Sequence, residues 1–223
     1  MRAAGATLCG AVLLASAAVA GPISTERKSQ FEKAMTVIMA SATPHMSDAN
    51  RERLLRDYID AKPNKGQAVE PSIGFYYRSA SHEDYEVTGD RTLEACQLRF
   101  GKPCALIAIN EEIAAEGELS TKDMPRLHYS GEFDVSKIPI IRASVRERAD
   151  VQAYSKFTPP KAIAIHPWGT LFISAGKTNT RDAQDAALSD CNNDPRRHSR
   201  DGNCFVYAVD NQVVIFERRQ VGK

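Results

Sequence analysis

The sequence lacks an excess of charge of either sign, a second long apolar run, and the short motifs that mark many enzymes. Lysine and arginine number 29 against 28 aspartates and glutamates, so no strong attraction to nucleic acid or to an anionic membrane is expected. No apolar stretch beyond the N-terminal leader is long enough to span a bilayer. The chain has no glycine-rich phosphate loop and no G-x-S-x-G motif. These absences argue against the best-marked nucleotide-binding and hydrolase classes.

Residues 1–20 have the composition of a secretory leader. Arg2 gives a positive start, Ala6–Ala18 is apolar, and Ala18-Val19-Ala20 forms a small-x-small cleavage site. The alternative is an N-terminal membrane anchor, but the apolar run is short and rich in alanine. We therefore predict a signal peptide over 1–20 and a periplasmic or secreted protein.

A sequence pattern around two cysteines occurs twice. The first copy reads Leu93-Glu94-Ala95-Cys96 and then Cys104–Asn110, and the second reads Leu188-Ser189-Asp190-Cys191 and then Cys204–Asp210. Both copies fit L-x-x-C, a loop, and C-x-[LV]-x-A-[IV]-[ND]. An Arg-Glu-Arg tripeptide also recurs at the spacing that separates Cys96 from Cys191. Because self-similarity at a long period normally reflects architecture, the sequence predicts a duplicated module.

The cysteine count suits an oxidising compartment. Removal of the leader takes Cys9 with it and leaves four cysteines, an even number. Sequence alone does not choose among the possible connectivities, but a bridge within each copy gives Cys96–Cys104 and Cys191–Cys204. Each bridge closes a loop of roughly 10–15 residues, worth about 3 kcal/mol in the chain-entropy model.

Apolar spacing and turn residues predict the elements of each copy. Two N-terminal helices come first, the second of them capped by Ser47. The first copy then continues with a strand over Ser72–Arg78, a short strand within His82–Thr88, a helix capped by Asp90 and a buried strand over Ala105–Ile109. The second copy is predicted to hold the following elements: a helix from Ser144 to Phe157, strands Ala162–His166 and Thr170–Ala175, a helix ending at Cys191, and a strand Cys204–Val209 that turns at Asp210-Asn211.

The predicted fold class is α+β, with two homologous helix–strand–strand–helix–strand modules, a largely antiparallel sheet and one disulfide closing each module. The predicted divisions are a signal peptide over 1–20, an N-terminal segment and helix over 21–46, a first module over 47–113, a linker over 114–143 and a second module over 144–223.

The second copy resembles small exported bacterial domains of unknown function, in which a Trp-Gly turn precedes an A-x-x-A-L-x-x-C helix, a second cysteine and a strand of YAV type. The matching residues are His166–Gly169, Ala183–Cys191 and Cys204–Asp210. The first copy matches only loosely, because it has no Trp-Gly turn. The resemblance implies an accessory or sensory module and supplies no catalytic residue.

Few residues are candidates for chemistry. His166 follows a predicted strand and is the best candidate for a catalytic side chain, although a structural histidine fits that position too. The other four histidines lie among polar residues and are predicted to be at the surface. A zinc site at Cys191, His198 and Cys204 is disfavoured by the ligand spacing and by export. We expect no metal and no cofactor.

Binding is therefore the leading functional expectation. The candidates for contact are Trp168 and the basic residues of the second disulfide loop, Arg196, Arg197 and Arg200. The sequence predicts an exported non-enzymatic binding or accessory protein, with a protein or a cell-envelope component as the expected partner. The alternative is a small periplasmic hydrolase, or an inhibitor of one, that uses His166.

Overall fold

Two antiparallel sheets with helices packed on them form the described part of this computed structural model, which covers residues 24–115, 119–197 and 202–216. The predicted signal peptide over 1–20 and the candidates His198 and Arg200 lie outside the described residues. The helices are α1 Thr25–Ala42, α2 Asp48–Ile59, α3 Tyr85–Phe100, α4 Ala143–Arg146, α5 Ala149–Ala153 and α6 Thr180–Asn192. The strands are β1 Gly66–Glu70, β2 Phe75–Ser79, β3 Cys104–Ile109, β4 Glu112–Ile113, β5 Thr121–Lys122, β6 Gly131–Glu132, β7 Lys161–Ile165, β8 Leu171–Ala175, β9 Phe205–Val209 and β10 Gln212–Val213.

Local sequence signals set the ends of the longer helices. The side chain of Ser47 accepts a hydrogen bond from the third residue of α2, as predicted. Asn179 caps α6 in the same way. Helix α3 ends at Gly101, whose φ of 82° lies in the left-handed region that favours glycine. In the chain, α3 lies between β2 and β3, and α6 lies between β8 and β9.

The α+β class, the antiparallel strand pairing and the two disulfides are confirmed. The first sheet has the order β2-β1-β3-β4 with β5 also on β3, and the second has the order β6-β10-β9-β7-β8. Every strand pair is antiparallel. The bridges are Cys96–Cys104 and Cys191–Cys204, so each joins the end of a helix to the start of the next strand. Within the described residues no helix combines the length and apolar character needed to cross a bilayer.

Removal of either bridge is expected to destabilise the protein. Each bridge closes a short loop, with sequence separations of 8 and 13 residues. Replacing Cys191 and Cys204 together with serine should lower the free energy of unfolding by about 3 kcal/mol. Chemical denaturation of the non-reduced protein measures this, and a loss below about 1 kcal/mol would contradict the prediction.

The first sheet differs from the prediction in two places. The central strand β1 was not predicted, because its sequence Gly66-Gln67-Ala68-Val69-Glu70 has only two apolar side chains, yet all five residues are buried. The predicted short strand within His82–Thr88 is wrong. Helix α3 begins there instead, because the carboxylate of Asp84 accepts a hydrogen bond from the backbone of Val87 at 2.9 Å. Asp84, not Asp90, is therefore the cap.

The predicted helix from Ser144 to Phe157 is broken into α4, α5 and a short 3-10 turn. At the break, the guanidinium of Arg148 turns away to donate to the carbonyl of Leu171 at 2.9 Å and to pair with Asp150. A buried lysine, described below, donates hydrogen bonds to the carbonyls at the end of the segment. Side-chain contacts of this kind have no signature in the apolar spacing.

Residues 114–143 do not form a loose linker in their described part. The segment supplies β5 to the first sheet and β6 to the second. Its apolar residues Met124, Leu127, Ile138, Ile140 and Ile141 are buried in a core that both sheets share. The buried Glu94 of α3 accepts hydrogen bonds from Arg126 at 2.5 Å and from the backbone of Ile140 at 2.8 Å. These contacts fasten the segment to the first sheet.

The two sheets have matching strand registers. Strand β1 pairs with β2 and β3, and β7 pairs with β8 and β9, in the same antiparallel sense. A register shift occurs after Gln67 in β1 and after Ile163 in β7, the second residue of the paired segment in each case. The β3–β4 and β9–β10 hairpins each turn at a residue with positive φ, Asn110 at 49° and Asp210 at 50°. Asparagine and aspartate tolerate this backbone conformation.

A buried lysine lies at the start of β1 and another at the start of β7. The ammonium of Lys65 lies 5.1 Å from the ring centroid of Tyr58, and that of Lys161 lies 4.9 Å from the ring of Tyr154. The backbone N–H of each lysine donates to the side chain of the turn residue, Asn110 or Asp210, at 3.2 and 3.0 Å. Nearly the same number of residues separates the two tyrosines from each other, the two lysines from each other and the two register shifts from each other.

Candidate binding cleft

His166 is a structural residue of the β7–β8 turn. Its side chain is fully buried. One ring nitrogen, Nδ1, accepts a hydrogen bond from the backbone N–H of Trp168 at 3.1 Å, and Nε2 lies 3.3 Å from the carbonyl of Gly202. Because a carbonyl only accepts, Nε2 carries the proton and both ring nitrogens are occupied by backbone groups. The geometry therefore offers no free base at His166 to a substrate.

The corresponding turn of the first sheet has an acidic residue in the same role. Glu70 is the last residue of β1, His166 comes directly after β7, and each precedes a proline. The buried Glu70 carboxylate accepts hydrogen bonds from the backbone of Ser72 at 3.1 Å and of Ile73 at 2.9 Å. A carboxylate and an imidazole thus hold equivalent turns, which explains His166 without catalysis.

In the second disulfide loop, Arg196 contacts other residues of the same part of the chain. The guanidinium of Arg196 pairs with the buried Asp194 at 2.9 Å, and it lies 6.0 Å from the ring centroid of Phe172. Arg197 ends a short 3-10 turn. With both cysteines in a disulfide, the thiolates of the disfavoured zinc site are absent.

Trp168 instead lies in a cleft of about 1000 Å³ between the first sheet, α2, the end of α3 and the β7–β8 turn. We name this space the aromatic–arginine cleft. Its aromatic wall consists of Phe75, Tyr76, Tyr77, Phe100 and Trp168, and its polar side chains are Arg53, Asp57, Gln67, Arg78 and Arg99. A volume of this size suits a ligand of several hundred daltons or a short peptide segment.

Exposed aromatic surface distinguishes the cleft from a core. The side chain of Phe75 is 54% exposed although its ring lies 5.9 Å from that of Phe100. Ile73, in the turn before it, is 44% exposed. The ring of Trp168 lies 6.0 Å from that of Tyr77, whose hydroxyl donates to the carbonyl of Pro167 at 2.8 Å. The sheet and the turn therefore hold the aromatic wall in place before any ligand binds.

The charge in the cleft is positive. Asp57 pairs with Arg53 at 3.4 Å. Arg78 donates to the backbone carbonyl of Asp57, and among the described residues no carboxylate lies within ion-pair distance of Arg78 or Arg99. Two guanidinium groups without a carboxylate partner, beside apolar rings, favour an anion with an apolar body.

Gln67 contributes an unused acceptor. Its side chain is 1% exposed, and its Oε1 atom has no hydrogen-bond partner among the described residues. A buried polar atom without a partner costs about 1–3 kcal/mol. Gln67 lines the cleft directly opposite Arg78 on the neighbouring strand. A ligand that donates an N–H or O–H group at this point would satisfy it.

The serine–histidine contact that the described residues show close to the cleft, between Ser79 and His82, is not a catalytic pair. Thr92 donates to the carbonyl of Thr88 at 2.7 Å, so the hydroxyl of Ser79, 2.5 Å away, must donate to Thr92. Nε2 of His82, 2.9 Å from Ser79, must then donate to that hydroxyl. His82 therefore removes no proton from Ser79. In the described part of the chain no group of His, Cys, Asp and Glu residues is arranged to hold a metal ion.

His82 is half-buried, contrary to the prediction of a surface histidine, and this gives a pH dependence. Burial, together with the charges of Arg91 and Arg142, lowers the pKa of His82 from 6.5 to about 4. The unfolded chain binds a proton between these values and the folded chain does not, so stability should fall as the pH falls from 6.5 to about 4. The expected loss is roughly 2 kcal/mol, allowing for solvent screening of a partly exposed group.

Chemical denaturation across that pH window measures the effect, with His82→Gln as the comparison. Glutamine keeps a donor for Ser79 but does not titrate. The variant should lose less stability than the wild type on acidification. Parallel curves for the two proteins would contradict the assignment.

Sequence reasoning found one residue of the cleft, Trp168, and missed the rest. The available signal was the strand prediction over Ser72–Arg78, which brings Phe75 and Arg78 into one segment. Arg99 and Gln67 come from a helix end and from the strand that was not predicted, so only the fold brings them together.

Comparisons with known proteins give no further guide. No protein-family model, no curated protein and no solved structure matches the chain.

Proposed function

We propose that the protein is an exported, non-enzymatic binding protein, periplasmic or secreted, and that its ligand binds in the aromatic–arginine cleft. The ligand carries a negative charge for Arg78 and Arg99, an apolar part for Phe75 and Trp168, and a hydrogen-bond donor for Gln67. The observation that carries the proposal is the buried acceptor of Gln67 inside an exposed aromatic cleft.

We propose further that the two sheets are homologous modules. The support consists of the repeated cysteine pattern, the equal position of the register shifts and the paired Lys65 and Lys161 anchors. The cleft lies beside the first module and takes Trp168 from the second. Its other lining residues belong mainly to α2, β1, β2 and the end of α3 of the first module. Two disulfides agree with an oxidising compartment.

The replacement Gln67→Leu tests the binding proposal because its two effects have opposite signs. Leucine of similar size removes the unpaired acceptor, so the free energy of unfolding should stay equal or rise by about 1 kcal/mol. Affinity for anilinonaphthalene sulfonate, which has an anion, an N–H group and aromatic rings, should fall by about tenfold. The emission of Trp168, the single tryptophan of the chain, reports the binding.

Two results would contradict the proposal. One is a wild-type protein in which this dye does not change the emission of Trp168. The other is a Gln67→Leu protein with unchanged affinity, which would make Gln67 irrelevant to the cleft.

A further inference from the structure

We infer that the ligand is an extended peptide with acidic residues at alternate positions, which adds to the first sheet as a strand along the outer edge of β2. This inference rests on the proposed binding function and specifies the class of its ligand.

The edge of β2 is open. β2 is the terminal strand in the order β2-β1-β3-β4, and in the described residues no strand pairs with its outer side. Phe75, Tyr76, Tyr77 and Arg78 all line the cleft. Successive side chains of a strand point to opposite faces, so one space reaches all four only if it lies against the edge of the strand. An edge of this kind presents backbone N–H and C=O groups that an added strand can pair with.

The two faces of β2 favour different side chains on a peptide strand that pairs with it. Phe75 and Tyr77 lie on the face of α3, toward Phe100 and Trp168. Arg78 lies on the opposite face, toward α2, where it contacts Asp57. An added strand continues the same alternation, because neighbouring strands place their side chains on the same two faces. The matching peptide therefore has apolar residues beside Phe75 and Tyr77, and acidic residues beside Arg78.

The charged residues of the cleft favour an acidic peptide. Among the described residues that line the cleft, Arg53 and Arg78 lie on the α2 side together with one carboxylate, Asp57. Arg99 adds a further guanidinium on the α3 face, close to Gly202 of the second disulfide loop. The chain's own residues 217–223 hold three cationic side chains and one anionic one, so their charge does not match the cleft. A separate acidic peptide does.

Gln67 adds a requirement for one side chain of the peptide. It stands opposite Arg78 on β1 and therefore on the α2 face. A strand added outside β2 lies two strand spacings, about 10 Å, from β1. Only a long peptide side chain that ends in a hydroxyl or amide donor can therefore reach the Oε1 of Gln67, which has no partner among the described residues. The expected pattern is an apolar residue alternating with an acidic or a hydroxyl- or amide-bearing residue.

Selection from a randomised peptide library displayed on phage tests the inference. The mature protein is the target, and selected peptides are synthesised and titrated against the emission of Trp168. We expect alternating apolar and acidic sequences that slow amide hydrogen exchange over Phe75–Ser79. N-methylation of alternate peptide amides, which blocks strand pairing but keeps the side chains, should weaken binding by about tenfold or more. Arg78→Met should do the same, whereas the exposed control Arg181→Met should not.

The outcomes separate this inference from the proposed function. If the dye binds the cleft but no alternating acidic peptide is selected, or if N-methylated peptides bind as tightly, the strand-addition inference is overturned and the binding function stands. If neither dye nor peptide changes the emission of Trp168, both are overturned. Selection of basic peptides would also overturn the inference.

Discussion

Replacing Lys161 with methionine is expected to lower the free energy of unfolding by about 3–5 kcal/mol. The side chain is fully buried, and its ammonium donates to the carbonyls of Tyr154 at 2.8 Å, Ser155 at 3.0 Å and Phe157 at 2.7 Å. Methionine fills the space of the aliphatic stem but leaves these carbonyls without a donor. Burial lowers the pKa of Lys161, so part of the loss is offset when the buried charge is removed.

Chemical denaturation of matched lysine variants measures this effect. The Lys65→Met replacement should lower the free energy of unfolding by less, about 2–3 kcal/mol. The reason is that Lys65 donates to one carbonyl, that of Ile59, and pairs with the more exposed Glu111. Lys177→Met, at an exposed position, should change stability by less than about 0.5 kcal/mol. A Lys161→Met protein as stable as the Lys177→Met control would show that the anchor does not hold the second sheet.

The second large effect concerns binding. Replacing Arg78 and Arg99 together with methionine should weaken the binding of anilinonaphthalene sulfonate by about 10- to 100-fold, the value of one or two charge-assisted hydrogen bonds. The aromatic wall and the aliphatic stems remain, so the residual affinity reports the apolar contribution. Titration of Trp168 emission gives the dissociation constant.

The matched control is the pair Lys177→Met and Arg181→Met, which removes the same net charge at exposed positions of the second module. This pair should bind as the wild type does. Equal weakening in both double variants would mean that the dye responds to overall charge and not to the cleft. Denaturation of the Arg78→Met and Arg99→Met protein checks that its sheet is intact.

The parts of the fold that were predictable have local signals. Cysteine spacing, the repeated apolar strand and the Asp210-Asn211 turn gave the disulfides, β3, β9 and the second hairpin. β1 had no such signal, because the burial of Gln67 and Glu70 arises from its central place in the sheet. The packing of the described part of residues 114–143 had no sequence signal either, because the pairing of Arg126 with the buried Glu94 is not visible in the sequence.

The candidate site also contains residues that the sequence indicated and residues that it did not. Trp168 was identified because it lies near the second disulfide loop, which was the surface expected to bind. His166 was assigned a possible catalytic role because its backbone partners, Trp168 and Gly202, are not visible in the sequence. Phe75 was placed in a predicted strand, but the edge position of that strand, which leaves Phe75 mostly exposed, was not predicted. Position within a sheet is a tertiary property, so apolar spacing alone did not reveal the cleft.

Residue-resolved nuclear magnetic resonance during titration with anilinonaphthalene sulfonate tests the central claim most directly. The account predicts that the largest saturable shifts fall on the backbone amides of Phe75–Arg78 and Phe100 and on the indole N–H of Trp168. Shifts that centre on the second disulfide loop around Arg196, or that do not saturate anywhere, would contradict a binding site in the aromatic–arginine cleft.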